Sequence, residues 1–514
     1  MKLSENRYFR KIVFKIQLLI GFICCHLGKF GCKLASQTKW RFIIREIAVI
    51  GAGPAGLTAA FELQKSGLQV TLFEASGQVG GMAKSFNLWG QVVDIGPHRF
   101  FSSDPRVNSF WLKAVDEKYE MVSRLTRIFY KKKFFSYPIE ARNALFRLGI
   151  FESMMCVLSL LKVKIFPRKD ESKFDNWVIN RFGLRLFDIF FKSYTEKLWG
   201  INCADLDSDF AAQRIKKLSL LEALRSAFSK KTTSHRTLID EFAYPIFGAG
   251  FAYSNLASKF VSLGGQIHLN SKINEIALSD DHVKIVDVDG NSSSYEKIIS
   301  TMPLTNLVKI INAPDDICEL AGQLKFRNTI LVYLKVQGSN PFPDQWIYIH
   351  ASNLRTGRIT NFSNWTSRKS DSTLEHIVCL EFWCYNEDPI WNSEDQGLIE
   401  IAKTELIQTT LIQTQVISDG HVVRVPKCYP VYSTGYKKLL DPIQNYLNSV
   451  DRVIPIGRYG SFKYNNQDHS ILMGLLAAEN ILGVSNHDLW AINSDYEYQE
   501  SARITSTGLV YDKD

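Results

Sequence analysis

A strand–helix–strand pattern near residue 50 constrains the fold more than any other part of this 514-residue sequence. The apolar run EIAVI at 46–50 is typical of a buried strand, and the glycine-rich segment GAGPAG follows at 51–56. A helical pattern continues through 57–65, and a second strand at 68–73 ends at Glu74. This succession is the full context that a dinucleotide-binding unit requires. The sequence therefore predicts a Rossmann-type unit with parallel strands.

Each glycine of this segment has a separate mechanical role in the G-x-G-x-x-G pattern. We expect Gly51 to permit the tight turn, Gly53 to let the backbone approach a pyrophosphate, and Gly56 to allow close packing of helix on strand. The amino end of the helix supplies free N–H groups for the phosphates. Glu74 lies 21 residues after Gly53, where an acid accepts hydrogen bonds from ribose hydroxyls. An acid there disfavours a 2′-phosphate, so FAD or NAD fits better than NADP.

The charge distribution argues against a nucleic-acid-binding protein. The net charge is +9, but residues 1–45 contain ten Lys or Arg and one acid, so the rest of the chain is balanced. A nucleic-acid footprint needs a basic patch on the folded domain. The nine cysteines are odd in number and show no repeated C-x-x-C spacing, so we expect no disulfide framework and no metal site.

The basic leader at 1–45 also contains an apolar stretch at 12–27, too short for the roughly 20 residues of a spanning helix. Three interpretations stay open: peripheral contact with an anionic membrane surface, a cleaved signal, and an extension without function. We expect a cytoplasmic protein, with contact at the inner face of the membrane as the option that the leader adds.

A second glycine pair decides between the two dinucleotides. Gly80 and Gly81 follow Glu74 closely in the segment QVGGMA, which resembles the second glycine motif of the amine-oxidase and protoporphyrinogen-oxidase class of flavoproteins. The resemblance implies that FAD is the cofactor. It also implies that the residue matching Ile273 contacts the adenine side of FAD through its backbone.

The order of patterns along the chain predicts a mixed α/β (α+β) fold with interleaved domains. We expect strands over 324–336 and 376–384 in a sheet above the substrate cavity, and a β-meander over 272–300. The predicted segments are a leader (1–45), FAD-binding βαβ unit and glycine motifs (46–104), a mostly helical insertion (105–235), a return to the FAD domain (236–303), an antiparallel substrate-domain sheet with helices (304–450), a flavin-binding strand–loop–helix (451–485) and a tail (486–514).

The segment IPIGRYGSFKYNNQDHS at 454–470, followed by an apolar helix, is the most informative about function. Its residue pattern resembles that of UDP-galactopyranose mutases, as do the patterns GPHRF at 96–100 and YPVY at 429–432. The resemblance implies that the last helix directs its amino end toward the flavin, with Asp468 or Ser470 as the cap. We expect Asp468 and His469 to belong to the FAD site.

The resemblance to the mutases also implies substrate and catalytic residues. Arg458 is expected beside the flavin, Tyr429 and Tyr464 at the diphosphate of a UDP-sugar, Asn466 at the substrate, and His98 near flavin N5. The mutases place an arginine shortly before a Y-x-x-K-x-W segment. In this chain that segment is YTEKLW at 194–199, and Lys192 holds the arginine position as a predicted substrate ligand.

Two activities follow from these resemblances, and the sequence leaves both open. The first is a ring-contracting isomerisation of a nucleotide sugar for cell-surface polysaccharide synthesis, which needs FAD reduced by NAD(P)H or another reductant but no net oxidation. The second is an FAD-dependent oxidoreductase that takes hydride from a C–N or C–C bond. Lys192 in place of an arginine favours the second, because lysine lacks the bidentate fork that suits a phosphate. A flavin-bearing subunit without activity is the third option.

Overall fold

The computed structural model describes residues 46–137, 139, 141–209, 241–366 and 374–493, with backbone also at 502–505 and 508–511. The leader at 1–45 and most of the tail lie outside the described residues. Fourteen α-helices fall in the described part: α1 (Pro54–Lys65), α2 (Pro105–Val115), α3 (Ala141–Leu148), α4 (Ile150–Ile165), α5 (Phe174–Phe182), α6 (Leu184–Phe187), α7 (Ser193–Trp199), α8 (Phe251–Ser262), α9 (Leu304–Ile310), α10 (Asp315–Gln323), α11 (Asp395–Gln408), α12 (Tyr436–Asn448), α13 (Gly457–Gly460) and α14 (Gln467–Leu482).

The described strands alternate with these helices along the chain. They are β1 (Glu46–Ile50), β2 (Gln69–Phe73), β3 (Ser85–Leu88), β4 (Gln91–Asp94), β5 (Tyr119–Ser123), β6 (Thr126–Tyr130), β7 (Lys133–Ser136), β8 (Glu241–Pro245), β9 (Gln266–His268), β10 (Ile273–Leu278), β11 (Val283–Asp287), β12 (Ser292–Tyr295), β13 (Lys297–Ser300), β14 (Phe326–Gln337), β15 (Trp346–Ile349), β16 (Arg358–Asn361), β17 (Glu375–Cys384), β18 (Val416–Pro430), β19 (Val453–Pro455), β20 (Ala502–Thr505) and β21 (Gly508–Tyr511).

A five-stranded parallel sheet forms the centre of the dinucleotide-binding part, in the order β19-β13-β1-β2-β9. Ile47, Ala48 and Val49 of β1 are fully buried, as expected for a strand covered on both faces. Helices α1 and α14 pack closely against each other, because Gly474 lies against the backbone of Ala55 and the side chain of Thr58. The predicted mixed α/β fold is confirmed.

The second large sheet has seven strands in the order β18-β14-β17-β16-β15-β6-β7. All pairings are antiparallel except the one between β15 and β6. The strands expected at 324–336 and 376–384 are observed here as β14 and β17. In this architecture the seven-stranded sheet contributes residues to the same cavity as the parallel sheet.

One local expectation was wrong, the continuous meander over 272–300, and one mostly helical segment contains strands as well. The described part of the segment 105–235, predicted to be mostly helical, contains helices α2 to α7 together with strands β5, β6 and β7, and the β-branched and aromatic run at 126–130 pairs with β15. The expected meander over 272–300 is interrupted at Glu296, so that β10, β11 and β12 form a three-stranded antiparallel sheet. The last strand, β13, instead joins the parallel sheet between β1 and β19.

Among the described residues, no helix combines the length and apolar character that a bilayer crossing demands.

Candidate active site

A cavity of about 940 Å³ opens at the carboxyl ends of three strands of the parallel sheet. Gly51 follows β1, Thr301 follows β13 and Gly457 follows β19, and all three line the cavity. Ligands of open parallel α/β sheets bind at this edge. The opposite wall includes Leu331 and Glu381 from the seven-stranded sheet. The cavity is therefore shared between the two halves of the fold.

The glycines of the first motif lie where side chains would obstruct the backbone or the cavity. Gly51 has φ +98°, and a Cβ there would lie 2.0 Å from Thr301 Oγ1. A Cβ on Gly56 would lie 2.0 Å from the carbonyl oxygen of Gly51, which fixes the packing of α1 on β1. Gly53 lines the cavity, and a Cβ there would lie 3.8 Å from the Cα of Gly81, its nearest neighbour.

The second glycine pair lies directly opposite the first motif. Gly81 lines the cavity at φ +55°, and a Cβ there would lie 3.0 Å from the Cα of Gly53. Gly80 and Gly56 do not line the cavity; Gly80 donates its N–H to the carbonyl of Ala52 at 2.8 Å and so ties the second motif to the first. Two bare backbone segments therefore face each other next to the amino end of α1.

Glu74 directly follows β2 and lines the cavity. Its Oε2 accepts the N–H of Ala52 at 2.8 Å, and its Oε1 accepts the N–H and the hydroxyl of Ser76 at 2.9 and 2.8 Å. Ile273, which begins β10, lines the same part of the cavity. Three features therefore fit a flavin dinucleotide: a cradle of glycine backbone, the free N–H groups at the start of α1, and a carboxylate whose position is fixed.

His98 lines the cavity from the loop that follows β4. Its Nδ1 lies 3.1 Å from the carbonyl oxygen of Gly96, which can only accept, so Nδ1 carries the proton. Burial lowers the pKa of His98 to about 4, and the positive charges of Arg358 and Arg458 act in the same direction against the Gly96 hydrogen bond. His98 is therefore a neutral imidazole at physiological pH.

Gln467, in the first turn of α14, connects the His98 loop to the last helix. Its Nε2 lies 3.4 Å from the carbonyl oxygens of both His98 and Arg99, and its Oε1 accepts the hydroxyl of Tyr253 at 2.7 Å. Gln467 is buried and lines the cavity. Sequence reasoning did not select it, although its place inside the NNQDHS motif could have signalled a role.

Arg458 lies in α13, between the parallel sheet and the last helix. Its Nε donates to the carbonyl of Cys428 at 3.0 Å and its Nη1 to the carbonyl of Asn465 at 2.8 Å. The guanidinium carbon lies 4.3 Å from the ring centre of Tyr464 and 5.0 Å from that of Tyr429. The two tyrosine rings stack at 5.3 Å. The structure thus brings three predicted residues together in one wall of the cavity.

Asn466 begins the last helix as its N-cap. Its side chain accepts from the N–H of His469, and Nδ1 of His469 accepts the N–H of Asn466 at 3.3 Å, which completes a capping box. The expectation that Asp468 or Ser470 caps this helix was wrong, because Asn466 stands one residue before the first helical position. Asn466 and Ser470 line the cavity, whereas Asp468 and His469 do not.

Lys192 is not brought to the cavity. It belongs to a π-helical turn at Asp188–Lys192 and lines a separate surface depression of about 480 Å³ together with Glu196 and Arg355. In the same segment, Lys197 donates to the backbone carbonyls of three residues, which are Ile349, Ala351 and Thr356. The geometry gives no support to the prediction that Lys192 binds substrate.

An ion pair that sequence reasoning missed lies in the wall of the cavity. Arg358 of β16 and Glu381 of β17 stand directly opposite each other. The pair is bidentate, with Nε–Oε1 at 2.6 Å and Nη2–Oε2 at 2.7 Å, and Glu381 is only 1% exposed. The available signal was a single glutamate inside the apolar strand EHIVCLEFWC, since a buried charge requires a partner.

Positive charge predominates among the residues that line the cavity. Against two carboxylates, Glu74 and Glu381, the lining carries seven basic side chains, which are Lys84, Arg99, Lys272, Lys309, Arg358, Arg424 and Arg458. Walls of one sign in a low-dielectric cleft concentrate ligands of the opposite sign. The cavity therefore suits a ligand with several phosphate groups better than a cation.

Comparison with known proteins agrees with this geometry. Protoporphyrinogen oxidase 2, chloroplastic/mitochondrial, of Arabidopsis thaliana is 43% identical over 65 residues, which is 13% of each chain. The Klebsiella pneumoniae protein named "Probable UDP-galactopyranose mutase" is 25% identical over 174 residues, 32% of this chain and 43% of that one. The matches thus span less than half the length of these curated relatives.

A solved structure of reduced UDP-galactopyranose mutase superposes with a TM-score of 0.76 at 22% identity, covering 86% of this chain and 96% of that chain. This likeness establishes the common fold. The sequence profile described as "Flavin containing amine oxidoreductase" matches residues 54–382, well over half of the chain. The protein is an FAD-dependent enzyme that belongs to the flavin containing amine oxidoreductase family.

Proposed function

We propose that this flavoenzyme interconverts the pyranose and furanose forms of a nucleotide-linked sugar, with UDP-galactose as the first candidate, in the synthesis of cell-surface polysaccharide. The observation that carries the proposal is the excess of positive charge in the cavity, seven basic side chains against two carboxylates. FAD and a UDP-sugar each bring a diphosphate to the site. A cationic amine substrate would be repelled by the same walls.

The residues proposed to hold FAD belong to the edge of the parallel sheet. Gly51, Gly53 and Gly81 leave space for the pyrophosphate, Glu74 accepts from the ribose, and Ile273 lies at the adenine side. When bound and reduced, FAD supplies the nucleophile, so the chain itself needs none. The protein then contributes binding, orientation and the exclusion of water.

The aromatic wall is proposed to bind the substrate diphosphate. Burial raises the pKa of Tyr429 well above its ordinary value, so its hydroxyl stays protonated and can donate to a phosphate oxygen. Arg458 is fixed by two backbone carbonyls against the faces of Tyr429 and Tyr464 and adds a permanent positive charge. Asn466 lines the same region, but its side chain also caps α14, so we assign it a positioning role beside the substrate.

His98 is proposed as a hydrogen-bonding residue near the reacting end of the flavin. With its proton on Nδ1 and directed to Gly96, its Nε2 is an acceptor. Its pKa of about 4 means that it does not serve as a cationic acid at neutral pH. Its task is therefore to orient a donor in the site.

A second candidate function rests on the family match over residues 54–382. In an oxidoreductase of this kind, oxidised FAD would accept hydride from a C–N or C–C bond of an anionic substrate, and an electron acceptor would reoxidise it. The charge of the cavity fits either case if the substrate carries acidic groups. The two candidates differ in whether the flavin changes its oxidation state during turnover.

The test uses the purified FAD-loaded enzyme under anaerobic conditions, with dithionite as the reductant. UDP-galactopyranose and UDP-galactofuranose are added separately, and their interconversion is followed by chromatography while the flavin absorbance is recorded. The mutase proposal expects conversion only with reduced enzyme and with no net flavin oxidation. Absence of conversion, together with an unchanged flavin spectrum on adding UDP, would contradict it.

A matched pair of variants locates the activity in the cavity. Arg458→Lys keeps the charge but cannot keep both backbone hydrogen bonds, so we expect at least a tenfold lower kcat/KM. Arg452→Lys changes an arginine that donates to the carbonyl of Glu296 and does not line the cavity, so activity should be unchanged. Equal loss in the two variants would mean that the assay reports general destabilisation instead.

A further inference from the structure

Helix α4 and its flanks expose an unusual amount of apolar surface. Of the twenty-five large apolar side chains exposed in the described part of the chain, ten fall between residues 146 and 166. Their exposed fractions range from 36% for Val157 to 91% for Ile150. The ten, here called the α4 patch, are Phe146, Ile150, Phe151, Met154, Met155, Val157, Leu158, Leu161, Ile165 and Phe166. Scattered apolar residues are ordinary on protein surfaces, but a contiguous patch marks an interaction site.

The α4 patch follows the geometry of one helix face. At about 100° per residue, the exposed apolar residues of α4 form a continuous stripe. The opposite side carries Cys156, Leu160 and Val163, which are buried against the protein. On the same side as these, Glu152 is paired with Arg185, at 2.9 Å between Oε2 and Nη2. The helix is therefore held by one face, and its other face is exposed among the described residues.

Basic side chains surround the α4 patch. At the amino end of α4, Lys133, the first residue of β7, donates to the carbonyl of Arg147 at 2.9 Å, which places the β6–β7 turn beside the start of the helix. The exposed basic residues around the patch are Lys131, Lys132, Lys133, Arg147, Lys162, Arg168 and Lys169. Of the acids nearby, Glu152 and Glu171 are ion-paired to arginines. Asp175 Oδ2 lies 4.0 Å from Arg168 Nη1, and Asp170 is exposed beside Lys169, so basic side chains still outnumber acids around the patch. The rim is thus positively charged.

We propose that the α4 patch is a membrane-docking surface, whose apolar side chains enter the interfacial layer of a bilayer rich in anionic lipids while the basic rim contacts the headgroups. An apolar stripe bordered by Lys and Arg is the pattern of helices that lie in the plane of a membrane. The 16 residues of α4 span about 24 Å, less than the roughly 30 Å hydrocarbon core, so the helix lies on the bilayer.

Charge separates this occupant from a second copy of the chain. In a symmetric dimer formed through the α4 patch, the basic rim of one copy would face the basic rim of the other, which is repulsive. An anionic membrane is complementary to the rim. Because the leader is itself basic and apolar in part, both regions favour the same surface.

The test measures binding of the full-length FAD-loaded protein to vesicles by co-sedimentation. One set of vesicles is pure phosphatidylcholine, and the other contains about a third phosphatidylglycerol. We expect clear binding to the anionic vesicles and weaker binding to the neutral ones, with the difference reduced by salt. A triple variant, Phe151→Ser/Leu158→Ser/Ile165→Ser, should lower the partition coefficient at least tenfold, because each side chain contributes part of its apolar transfer free energy.

The matched control is Ile407→Ser/Val416→Ser/Val484→Ser, which removes three comparably exposed apolar side chains elsewhere and should bind vesicles like the parent. Lys131→Glu/Lys132→Glu/Lys162→Glu should remove the preference for anionic vesicles. Equal flavin absorbance and equal thermal stability in all variants verify that the fold is intact. Sugar conversion in solution is measured separately, so the result of the vesicle assay does not depend on the proposed function.

Two results would overturn the proposal. Vesicle binding that is unchanged by the serine triple variant would assign any membrane contact to the leader or another surface. Failure of the parent to bind vesicles, together with a dimer in sedimentation velocity that Leu158→Ser dissociates, would assign the α4 patch to a second copy of the chain.

Discussion

The substitution Asp94→Asn is expected to change how the free energy of unfolding depends on pH. Asp94 ends β4, just before the loop that carries His98, and its side chain is fully buried. The carboxylate accepts the hydroxyl of Ser85 at 2.5 Å, the hydroxyl of Tyr244 at 2.7 Å and the N–H of Ala249 at 3.1 Å. Asparagine has the same shape and retains an acceptor oxygen.

Burial raises the pKa of Asp94 to about 7, although the three donors act against this shift. In the unfolded chain the pKa of an aspartate is about 3.9. As the pH rises above that value, the unfolded state loses its proton first and the free energy of unfolding falls by about 1.4 kcal/mol per pH unit. The fall ends near pH 7, after a total of about 4 kcal/mol. At pH values well below 4, both states are protonated and the group has no effect.

Asparagine does not titrate, so the free energy of unfolding of Asp94→Asn does not fall in this way as the pH rises. Between pH 5 and pH 8 the stability of Asp94→Asn relative to the parent should therefore rise by about 3 kcal/mol. A folded region of this size has an unfolding entropy of about 1 kcal/mol/K, so the relative melting temperature should rise by about 3 °C. Melting is followed by flavin fluorescence at four pH values in parent and variant.

The control is Asp116→Asn. This exposed carboxylate has a pKa below its ordinary value because of its hydrogen bonds with Lys259 and Asn255, so the variant should show no rise in relative stability between pH 5 and pH 8. Parallel melting curves for Asp94→Asn and the parent across this range would refute the reasoning, since Asp94 would then be ionised in the folded protein with no penalty.

Three further predictions concern the cavity. Gly81→Ala should weaken FAD binding at least tenfold in a fluorescence titration, because the Cβ of the alanine would lie 3.0 Å from the Cα of Gly53. The control is Gly90→Ala, which also has a positive φ but has open space around it, so this variant should bind FAD normally. Glu381→Gln leaves Arg358 unpaired and should lower the free energy of unfolding by about 3–5 kcal/mol, most of it recovered in Glu381→Leu/Arg358→Met. His98 has a pKa of about 4, so its ionisation should not affect the dependence of kcat on pH between pH 6 and 8, and this part of the profile should be the same in the parent and in His98→Gln. A change of kcat in this range that is present in the parent and absent from the variant would mean that His98 is a cationic imidazole.

The cradle at the edge of the parallel sheet, where we propose that FAD binds, could be predicted because its information is local. The strand, glycine turn and helix at 46–65 form one unit, and in this unit each glycine is required for a definite steric reason. Glu74 follows this unit at the spacing that the motif predicts. The carboxyl ends of parallel strands then meet at one edge whatever connects them. For this reason Gly51, Gly81 and Ile273 all line the cavity.

The substrate half depended on contacts that sequence spacing does not encode. Arg358 and Glu381 meet only because β16 and β17 pair in one register, and neither residue lies in a motif. Lys192 was selected because it precedes the YTEKLW segment where the mutases have an arginine, but it lies in a π-helical turn that lines a separate depression. Asn466 was given a ligand role without regard to the next residue, where α14 begins and requires a cap. Backbone pairing and helix phase decided these positions.

The packing of α14 on α1 has a consequence for how the protein is made. The glycine of α14 that lies against Ala55 and Thr58 is Gly474, about 400 residues downstream of its partner helix. At about 5–20 residues per second, ribosomal synthesis leaves the α14-facing surface of α1 uncovered for roughly 20–80 s. During that interval α1 exposes apolar surface that α14 covers in the folded protein. The dinucleotide-binding part therefore reaches its final packing only after α14 has been synthesised, and nascent chains should be clients of chaperones that hold apolar surfaces until then.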